Sequence, residues 1–295
     1  MAVTSVRRQR QWGVLVPKLI GRILLYTFLI LLAVFFLFPF YDMFIGSFMQ
    51  DSDLFSRHPN VWPPNGFDVT NYTKLFREIG FARPLFNSFY IATVQTLGAV
   101  FFCSLAGFAF AKRRFPGRDR LFAIMLLTMM LPYQATLIPY YLLMVKIFKW
   151  SDTYWPFWLP AWAGAFGIFL MRQFISSSVP DELLEAATID GCSVIGSFFR
   201  IVVPVVLPGI SVLAILTFLP AFNDFLLPLL ILSAPSKITA ALALANFKGT
   251  TIIAPRYSLM FAGSACVTAP LLAFYFAFQK QLISGITSGA LKGGA

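Results

Sequence analysis

The sequence predicts an all-α, polytopic integral membrane protein. Apolar residues make up 58% of the 295 residues and only 12% are charged, about half the usual charged share of a soluble domain. Long uncharged runs alternate with short polar segments, and the runs have the length that a helix needs to cross the hydrocarbon core. Lys and Arg residues gather at the ends of these runs, so the net charge of +11 indicates membrane topology rather than nucleic-acid binding.

Six transmembrane helices are expected, at about 23–41, 84–111, 121–145, 153–171, 205–232 and 257–279. They form a transmembrane domain at 23–283, between an N-terminal segment at 1–22 and a C-terminal tail at 284–295, with a polar loop at 176–204 inside the domain. The first run follows a basic start but no small-residue cleavage site. We therefore interpret it as a retained span and not as a signal peptide.

The runs differ in ways that bear on packing. The second span carries small residues, among them Ala99 and Gly107, which predict close approach of another helix. The third span is interrupted by Pro132 and Pro139, which lipid tolerates where a neighbouring helix or a cavity satisfies the freed carbonyls. The three cysteines have neither metal-ligand nor disulfide spacing.

Charge distribution predicts the orientation. Most of the 23 Lys and Arg residues fall in segments 1–22, 112–120, 172–204 and 280–295. With six spans, the positive-inside rule places these segments and both termini in the cytoplasm. Segments 42–83, 146–152 and 233–256 are then expected outside.

The most polar long stretch runs from Val179 to Gly209 and must lie in water. Its first part is acidic, with Asp181, Glu182, Glu185 and Asp190. The pattern predicts a helix capped by Ser178 with Asp181 as its capping-box partner. Gly191 is expected to end that helix in the left-handed conformation. A second helix is expected over 193–203, ending at Pro204.

The spacing in this stretch resembles the EAA loop of the membrane subunits of bacterial binding-protein-dependent ABC importers. The matching residues are Glu185, Ala186, Ala187, Gly191, Ile201 and Pro204. The family has Leu before the final Pro, where this chain has Val203. The resemblance implies the type I ABC importer permease fold and a coupling helix, with these residues, that docks on an ATPase subunit.

Two other segments resemble the maltose-type subfamily. The end of the chain is similar to the C-terminus of its smaller membrane subunit, which implies docking at the ATPase interface by Gly285, Thr287, Gly289 and Lys292. The outer loop at 233–256 corresponds to one that reaches into the solute-binding protein, which implies contacts by Lys248, Gly249 and Arg256.

Candidate residues for a substrate pathway lie in the third, fourth and fifth spans: Tyr133, Gln134, Trp158, Trp162, Asn223 and Asp224. The two tryptophans are equally compatible with anchoring of helices at the interface and with stacking on sugar rings. A carboxylate within an apolar run is costly unless it faces protein or water. Asp224 can therefore serve either the pathway or local packing.

The resemblance implies an ATP-driven carbohydrate importer in the bacterial inner membrane. Its other parts would be a second homologous permease, two ATP-binding cassette ATPase subunits and an extracytoplasmic solute-binding protein. The sequence has no GxxxxGK[ST] motif, so we expect no catalytic residue, no metal and no cofactor on this chain, with ATP and Mg bound by the ATPases. The alternative is an ion-coupled secondary transporter, which the scarcity of intramembrane ionisable residues disfavours.

Overall fold

The computed structural model of the chain describes residues 2–56, 60–248 and 256–291, with side chains over 21–56, 60–247 and 256–279. Within these ranges the regular secondary structure is helical and contains no strand. The chain divides into two compact units, one of residues 1–74 and 256–265 and one of residues 75–255 and 266–295.

The α-helices of the described residues, in chain order, are α1 (Ala2–Gly46), α2 (Asp51–Leu54), α3 (Thr70–Thr73), α4 (Ala82–Lys112), α5 (Arg118–Thr128), α6 (Tyr133–Tyr141), α7 (Trp155–Trp162), α8 (Ala165–Ser178), α9 (Asp181–Ile189), α10 (Val194–Ser197), α11 (Val203–Val205), α12 (Leu207–Asn223), α13 (Leu226–Ile231), α14 (Ala240–Ala245) and α15 (Tyr257–Leu291). Shorter stretches with other helical hydrogen bonding are Lys74–Glu78, Leu142–Ile147, Phe198–Val202 and Asn246–Lys248.

Three of the described helices are long and apolar enough to cross a membrane, namely residues 21–46 of α1, all of α4 and residues 257–279 of α15. Two further pairs of described helices are each bent at a short break, and counting each pair as one span brings the candidates to five. Arg118–Thr128 and Tyr133–Ile147 meet at 97°, and Val194–Val205 and Leu207–Asn223 meet at 82°. The second pair does not coincide with the predicted span at 205–232, because it includes the helix expected over 193–203 and ends at Asn223. The predicted span at 153–171 is divided between α7 and α8 by a break at Ala163 and Gly164.

Helix α4 is the centre of the larger unit, where it packs against α7, α8 and α12. Glycines set how closely its neighbours approach. A Cβ on Gly107 would lie 2.8 Å from the backbone nitrogen of Arg172 in α8, and one on Gly98 would lie 1.9 Å from the indole nitrogen of Trp162. Helices in lipid associate through such close packing of small residues. The prediction that the second span admits a close neighbour is confirmed at Gly107.

The break between α7 and α8 frees backbone carbonyls that lipid cannot satisfy. Polar groups of α4 lie against this break. The Cys103 Sγ lies 3.4 Å from the carbonyl oxygen of Trp162 and 3.7 Å from that of Gly164. The indole of Trp162 in turn donates to the carbonyl of Val94 at 3.3 Å. The non-helical turn is therefore held against α4.

A second freed carbonyl arises inside α7. Pro160 has no N–H, so the carbonyl of Pro156, four residues earlier, lacks its helical donor. The hydroxyl of Tyr140 donates to that carbonyl instead. This contact ties α6, which contains Tyr140, to α7.

Residues 233–239, which we name the 233–239 strap, are held by Asp152. The carboxylate Oδ1 of Asp152 accepts hydrogen bonds from the backbone nitrogens of Ser233, at 2.6 Å, and Ala234, at 2.8 Å. The ammonium of Lys237 donates to the backbone carbonyl of Asp152. Segments 146–152 and 233–256, which the sequence places on the same outer side, are thus in direct contact.

The first turns of α4 hold the same strap from another side. Arg83 Nε donates to the carbonyl of Ser236 at 2.9 Å. The side-chain amide of Asn87 donates to the carbonyls of Ser236 and Ile238, at 3.1 and 2.9 Å. These bonds satisfy carbonyls in a segment without regular structure and fix the strap on the end of α4.

The smaller unit is organised at the end of α1. The side-chain amide of Asn71 donates to the carbonyls of Ser47 and Met49, at 3.0 and 2.8 Å, just beyond the helix. The carboxylate of Asp51 accepts from the backbone nitrogen of Ser258 at 2.8 Å. By contrast, every residue from Gly21 to Asp42 is exposed in the isolated chain, as expected of an apolar helix surrounded by lipid or another subunit.

The strap gives a prediction that depends on pH. Hydrogen bonds from the backbone of Ala234 and Ser233 hold the pKa of the Asp152 carboxyl below its usual value. A depressed pKa means that the carboxylate stabilises the strap above the unfolded pKa, about 3.9, and that this contribution is lost as pH falls through the lower folded pKa. Hydrogen exchange of the Ser233 and Ala234 amides, corrected for intrinsic rates, should show constant protection above about pH 5 and a decline below about pH 4.

Asp152→Asn is the matched control, because the amide retains an acceptor oxygen but cannot titrate. Its protection should be lower than that of the wild type and should not change over the same pH interval. Identical pH profiles for the two proteins would show that Asp152 does not hold the strap.

Candidate coupling segment and central cavity

The predicted coupling helix is α9. Its first helical residue, Asp181, follows Pro180 at the N-cap position, and no side chain caps this end. The predicted cap by Ser178 with Asp181 as capping-box partner is therefore wrong. The physical reason is that Ser178 is the last residue of α8, so the chain between the helices is too short to leave Ser178 free for capping.

The other end of α9 is as the sequence predicts. Gly191 has φ +78, and its N–H donates to the carbonyl of Thr188 at 3.1 Å. The next N–H, of Cys192, donates back to Ala187 at 2.8 Å. These two bonds form a Schellman motif, in which a left-handed residue lets the chain close the helix end. The predicted stop at Gly191 is confirmed.

The second predicted helix is less regular than expected. Ser193 caps α10 by accepting from the backbone nitrogen of Gly196 at 3.1 Å. The helix then passes through a π-helical stretch over Phe198–Val202 and continues to Val205. It does not end at Pro204, because a π-helical stretch such as the one before it is a local adjustment by which a helix accommodates a proline.

Exposure along α9 separates its faces. Glu185 and Ala186 are exposed, whereas Ala187 is 8% exposed and packs inward. Sequence reasoning missed Ile189 and Ile195, which are 86% and 64% exposed on either side of the Gly191 turn. The available signal was the presence of two isoleucines in a polar segment outside the apolar stripe.

An ion pair links this segment to the end of α4. Lys112 Nζ lies 2.6 Å from Asp181 Oδ1, and the lysine side chain is only 8% exposed while the aspartate is 73% exposed. The pair joins segments 112–120 and 176–204, which the sequence places together on the inner side. The pair ties the start of α9 to the end of α4.

A cavity of about 370 Å³ lies among α4, α6, α7 and the break after α12. We name it the Asp224 cavity. The side chains that carry its polar and aromatic character are Gln95, Tyr133, Tyr140, Phe157 and Asp224. Its volume is within the range of small-molecule sites. Two of the predicted pathway residues, Tyr133 and Asp224, therefore line one cavity, and Gln95 and Tyr140 are lining residues that were not among the predicted candidates.

The other predicted pathway residues lie elsewhere. Trp158 packs against Tyr90 and Tyr154 in an aromatic cluster, and Trp162 stacks on Phe102 of α4. Neither tryptophan is among the residues that line the Asp224 cavity. Gln134 and Asn223 are exposed and are likewise absent from its lining.

The predicted docking residues at the chain end and in the outer loop are only partly described. Gly285, Thr287 and Gly289 belong to α15, which continues to Leu291, and their side-chain surroundings lie outside the described residues. Lys292 and Gly249 also lie outside them, as does the side chain of Lys248. Arg256 is exposed immediately before α15.

Comparison with known proteins identifies the family. Residues 100–288 match the family described as "Binding-protein-dependent transport system inner membrane component". The chain is 34% identical to the trehalose/maltose transport system permease protein MalG of Thermococcus litoralis, over 94% of this chain and 99% of that protein. It is 31% identical to the arabinooligosaccharides transport system permease protein AraQ of Halalkalibacterium halodurans, over 91% and 94% of the respective chains.

A solved structure shows the same fold. A chain of a bacterial ABC transporter involved in the import of the acidic polysaccharide alginate superposes with a TM-score of 0.79 at 19% identity, over 88% of this chain and 96% of that one. The predicted all-α fold of an ABC importer permease is thus confirmed, and the alternative of an ion-coupled secondary transporter is set aside. The chain belongs to the inner membrane components of binding-protein-dependent transport systems, a family of multi-pass permease subunits.

Proposed function

We propose that this chain is a pore-forming subunit of an ATP-driven importer for a carbohydrate. Relatives over nearly the whole chain are named for trehalose, maltose and arabinooligosaccharides, which supports a sugar substrate. The solved importer of the same fold carries an acidic polysaccharide. These names therefore favour a carbohydrate.

The observation that carries the proposal is the geometry of α9. This helix is short, acidic and exposed, it ends in a left-handed glycine turn, and it is joined by Lys112 to the end of a long membrane helix. A helix of this kind can enter a cleft on a partner ATPase and transmit its closure to the membrane helices. The bound state of the ATPase would then shift the transporter between two conformations.

The complex would contain this chain, a second homologous permease, two ATPase subunits and an extracytoplasmic solute-binding protein. ATP and Mg would bind to the ATPases, and this chain would perform no catalysis. The C-terminal residues from Gly285 to Lys292 would dock at the ATPase interface, and the outer loop with Lys248, Gly249 and Arg256 would meet the binding protein.

The orientation that this function requires has both termini and α9 in the cytoplasm. Two contacts support the grouping of segments by side, because each joins segments that the charge distribution places together. Lys112 pairs with Asp181 on the predicted inner side, and Asp152 holds Ser233 on the predicted outer side.

Topology can be tested by labelling in intact cells. A cysteine at Asn65, in the segment predicted outside, should react with a membrane-impermeant maleimide, whereas a cysteine at Arg120 should react only after the membrane is permeabilised. Both positions are exposed in the structure, so burial would not explain a difference. The reverse labelling pattern would contradict the proposed orientation and with it the coupling role of α9.

The coupling role predicts unequal effects of two neighbouring carboxylates. In the proposed complex Glu185 would pair with a basic group in the ATPase cleft, and removing one partner of an ion pair buried in that way costs several kcal/mol. Glu185→Ala should therefore lower sugar uptake and sugar-stimulated ATP hydrolysis of the purified complex by about tenfold or more. Glu182→Ala should change them less than about threefold, since an exposed pair contributes at most about 1 kcal/mol. Equal, near-normal activities would mean that Glu185 is an ordinary solvated residue. Membrane insertion measured for both variants controls for folding.

Gly191 gives a second test, which separates the effect of its backbone conformation from that of the room available for a side chain. A Cβ at this position would meet nothing within 4 Å, but the residue has φ +78. Gly191→Val should therefore uncouple ATP hydrolysis from uptake, because a β-branched residue resists positive φ, whereas Gly191→Asn should retain most activity. If the two variants behave alike, the left-handed turn is not what positions α9.

A further inference from the structure

Broken helices converge on the Asp224 cavity. Tyr133 opens α6 directly after the bend that follows α5, and Pro160 lies inside α7. On the other side of the cavity, α12 carries Pro220 and ends at Asn223, so that Asp224 stands in the gap before α13. Irregular backbone at membrane depth is tolerated only where protein buries it or where it borders a water-filled space. Here the irregular backbone borders a space of about 370 Å³.

The cavity offers few polar groups that are still available for a ligand. The hydroxyl of Tyr140 is engaged by the carbonyl of Pro156. The Asp224 carboxylate accepts hydrogen bonds from the backbone at the start of α13, a long one at 3.4 Å from Leu227 and others from Leu226 and Phe225. A carboxylate has about four acceptor sites, so capacity for a ligand remains. Gln95 adds a neutral amide from α4. Tyr133 adds a phenolic hydroxyl from α6. The remaining wall is aromatic and apolar, which is the usual composition of a small-molecule site.

The charge of the residues that line the cavity is unsuited to binding an anion. Among the described residues that line it, Asp224 is the only charged one. The ion pairs found in the described part of the chain, Lys112 with Asp181 and Arg118 with Asp119, involve other segments. A phosphate or uronate group in the cavity would face a carboxylate with no basic residue on the described wall to compensate it. Hydroxyl groups, by contrast, are good donors to a carboxylate.

We propose that the Asp224 cavity is a sugar-binding subsite of this chain that accepts neutral, hydroxyl-rich units and rejects phosphorylated and uronate sugars. This inference rests on the proposed function and narrows its substrate class. Asp224 accepts hydrogen bonds from sugar hydroxyls and repels anions, and Gln95 supplies a neutral donor and acceptor. Repulsion between two like charges several ångströms apart in a partly desolvated site is large enough to alter affinity on the order of tenfold.

The test is a protection experiment on the purified full complex carrying Ala221→Cys, a substitution on the cavity wall. N-ethylmaleimide should label this cysteine above the background of the unsubstituted complex. Trehalose and trehalose 6-phosphate serve as probes, because they contain the same disaccharide and differ in the charged phosphate group. Trehalose should slow labelling at concentrations about tenfold lower than the phosphate requires, and Asp224→Asn should reduce that ratio to about twofold or less.

The control is Val61→Cys, at an exposed position in the predicted outer segment, whose labelling should respond to neither probe. Equal protection by both probes would overturn the exclusion of anions, and an unchanged ratio in Asp224→Asn would show that Asp224 only caps α13. If the complex with Asp224→Asn fails to assemble, the exclusion of anions is decided by Ala221→Cys alone, from the ratio of the protecting concentrations of the two probes.

Transport on the same preparation separates the inference from the proposed function. If the complex imports a carbohydrate but the cysteine at 221 is unlabelled or unprotected, the cavity is not a sugar subsite and the proposed function stands. If no carbohydrate supports uptake or stimulates ATP hydrolysis, the proposed function fails and the inference fails with it.

Discussion

The constraint on which this structure depends is that backbone N–H and C=O groups in lipid must find partners within the protein. An unbroken helix meets it alone, but this chain breaks its membrane helices repeatedly. The breaks are covered by side chains far away in sequence. Cys103 and the Trp162 indole cover the turn between α7 and α8, and Tyr140 covers the carbonyl that Pro160 leaves free.

Close packing around α4 is what brings those side chains within reach. The carbonyl of Val94 can accept from Trp162 only because Gly98 leaves room for the indole. In the same way, the missing side chain of Gly107 lets the backbone of α8 approach α4. Small residues thus serve two purposes here, since they provide dispersion contacts between helices and also position polar partners at the breaks.

The features that sequence reasoning could predict are local ones. The Gly191 turn and the apolar runs follow from residues close together in the chain, and so does the short acidic helix. The Ser178 cap failed because the extent of α8 is set by packing of residues such as Ile175, which is fully buried. The Lys112–Asp181 pair and the meeting of Gln95 and Asp224 on one cavity wall could not be predicted, because each joins residues far apart in the sequence.

The contrast between α4 and its neighbours gives a physical basis for coupling. Helix α4 has 31 residues, about 45 Å of length, and its proline, Pro84, lies in the first turn, where it does not interrupt the helix. The elements around the Asp224 cavity are instead interrupted at Pro160, Pro220 and Asp224. One end of α4 holds α9 through Lys112, the other holds the 233–239 strap through Arg83 and Asn87, and Gln95 lies between them on the cavity wall. Helix α4 is therefore a continuous connection between the start of α9, the cavity wall and the strap.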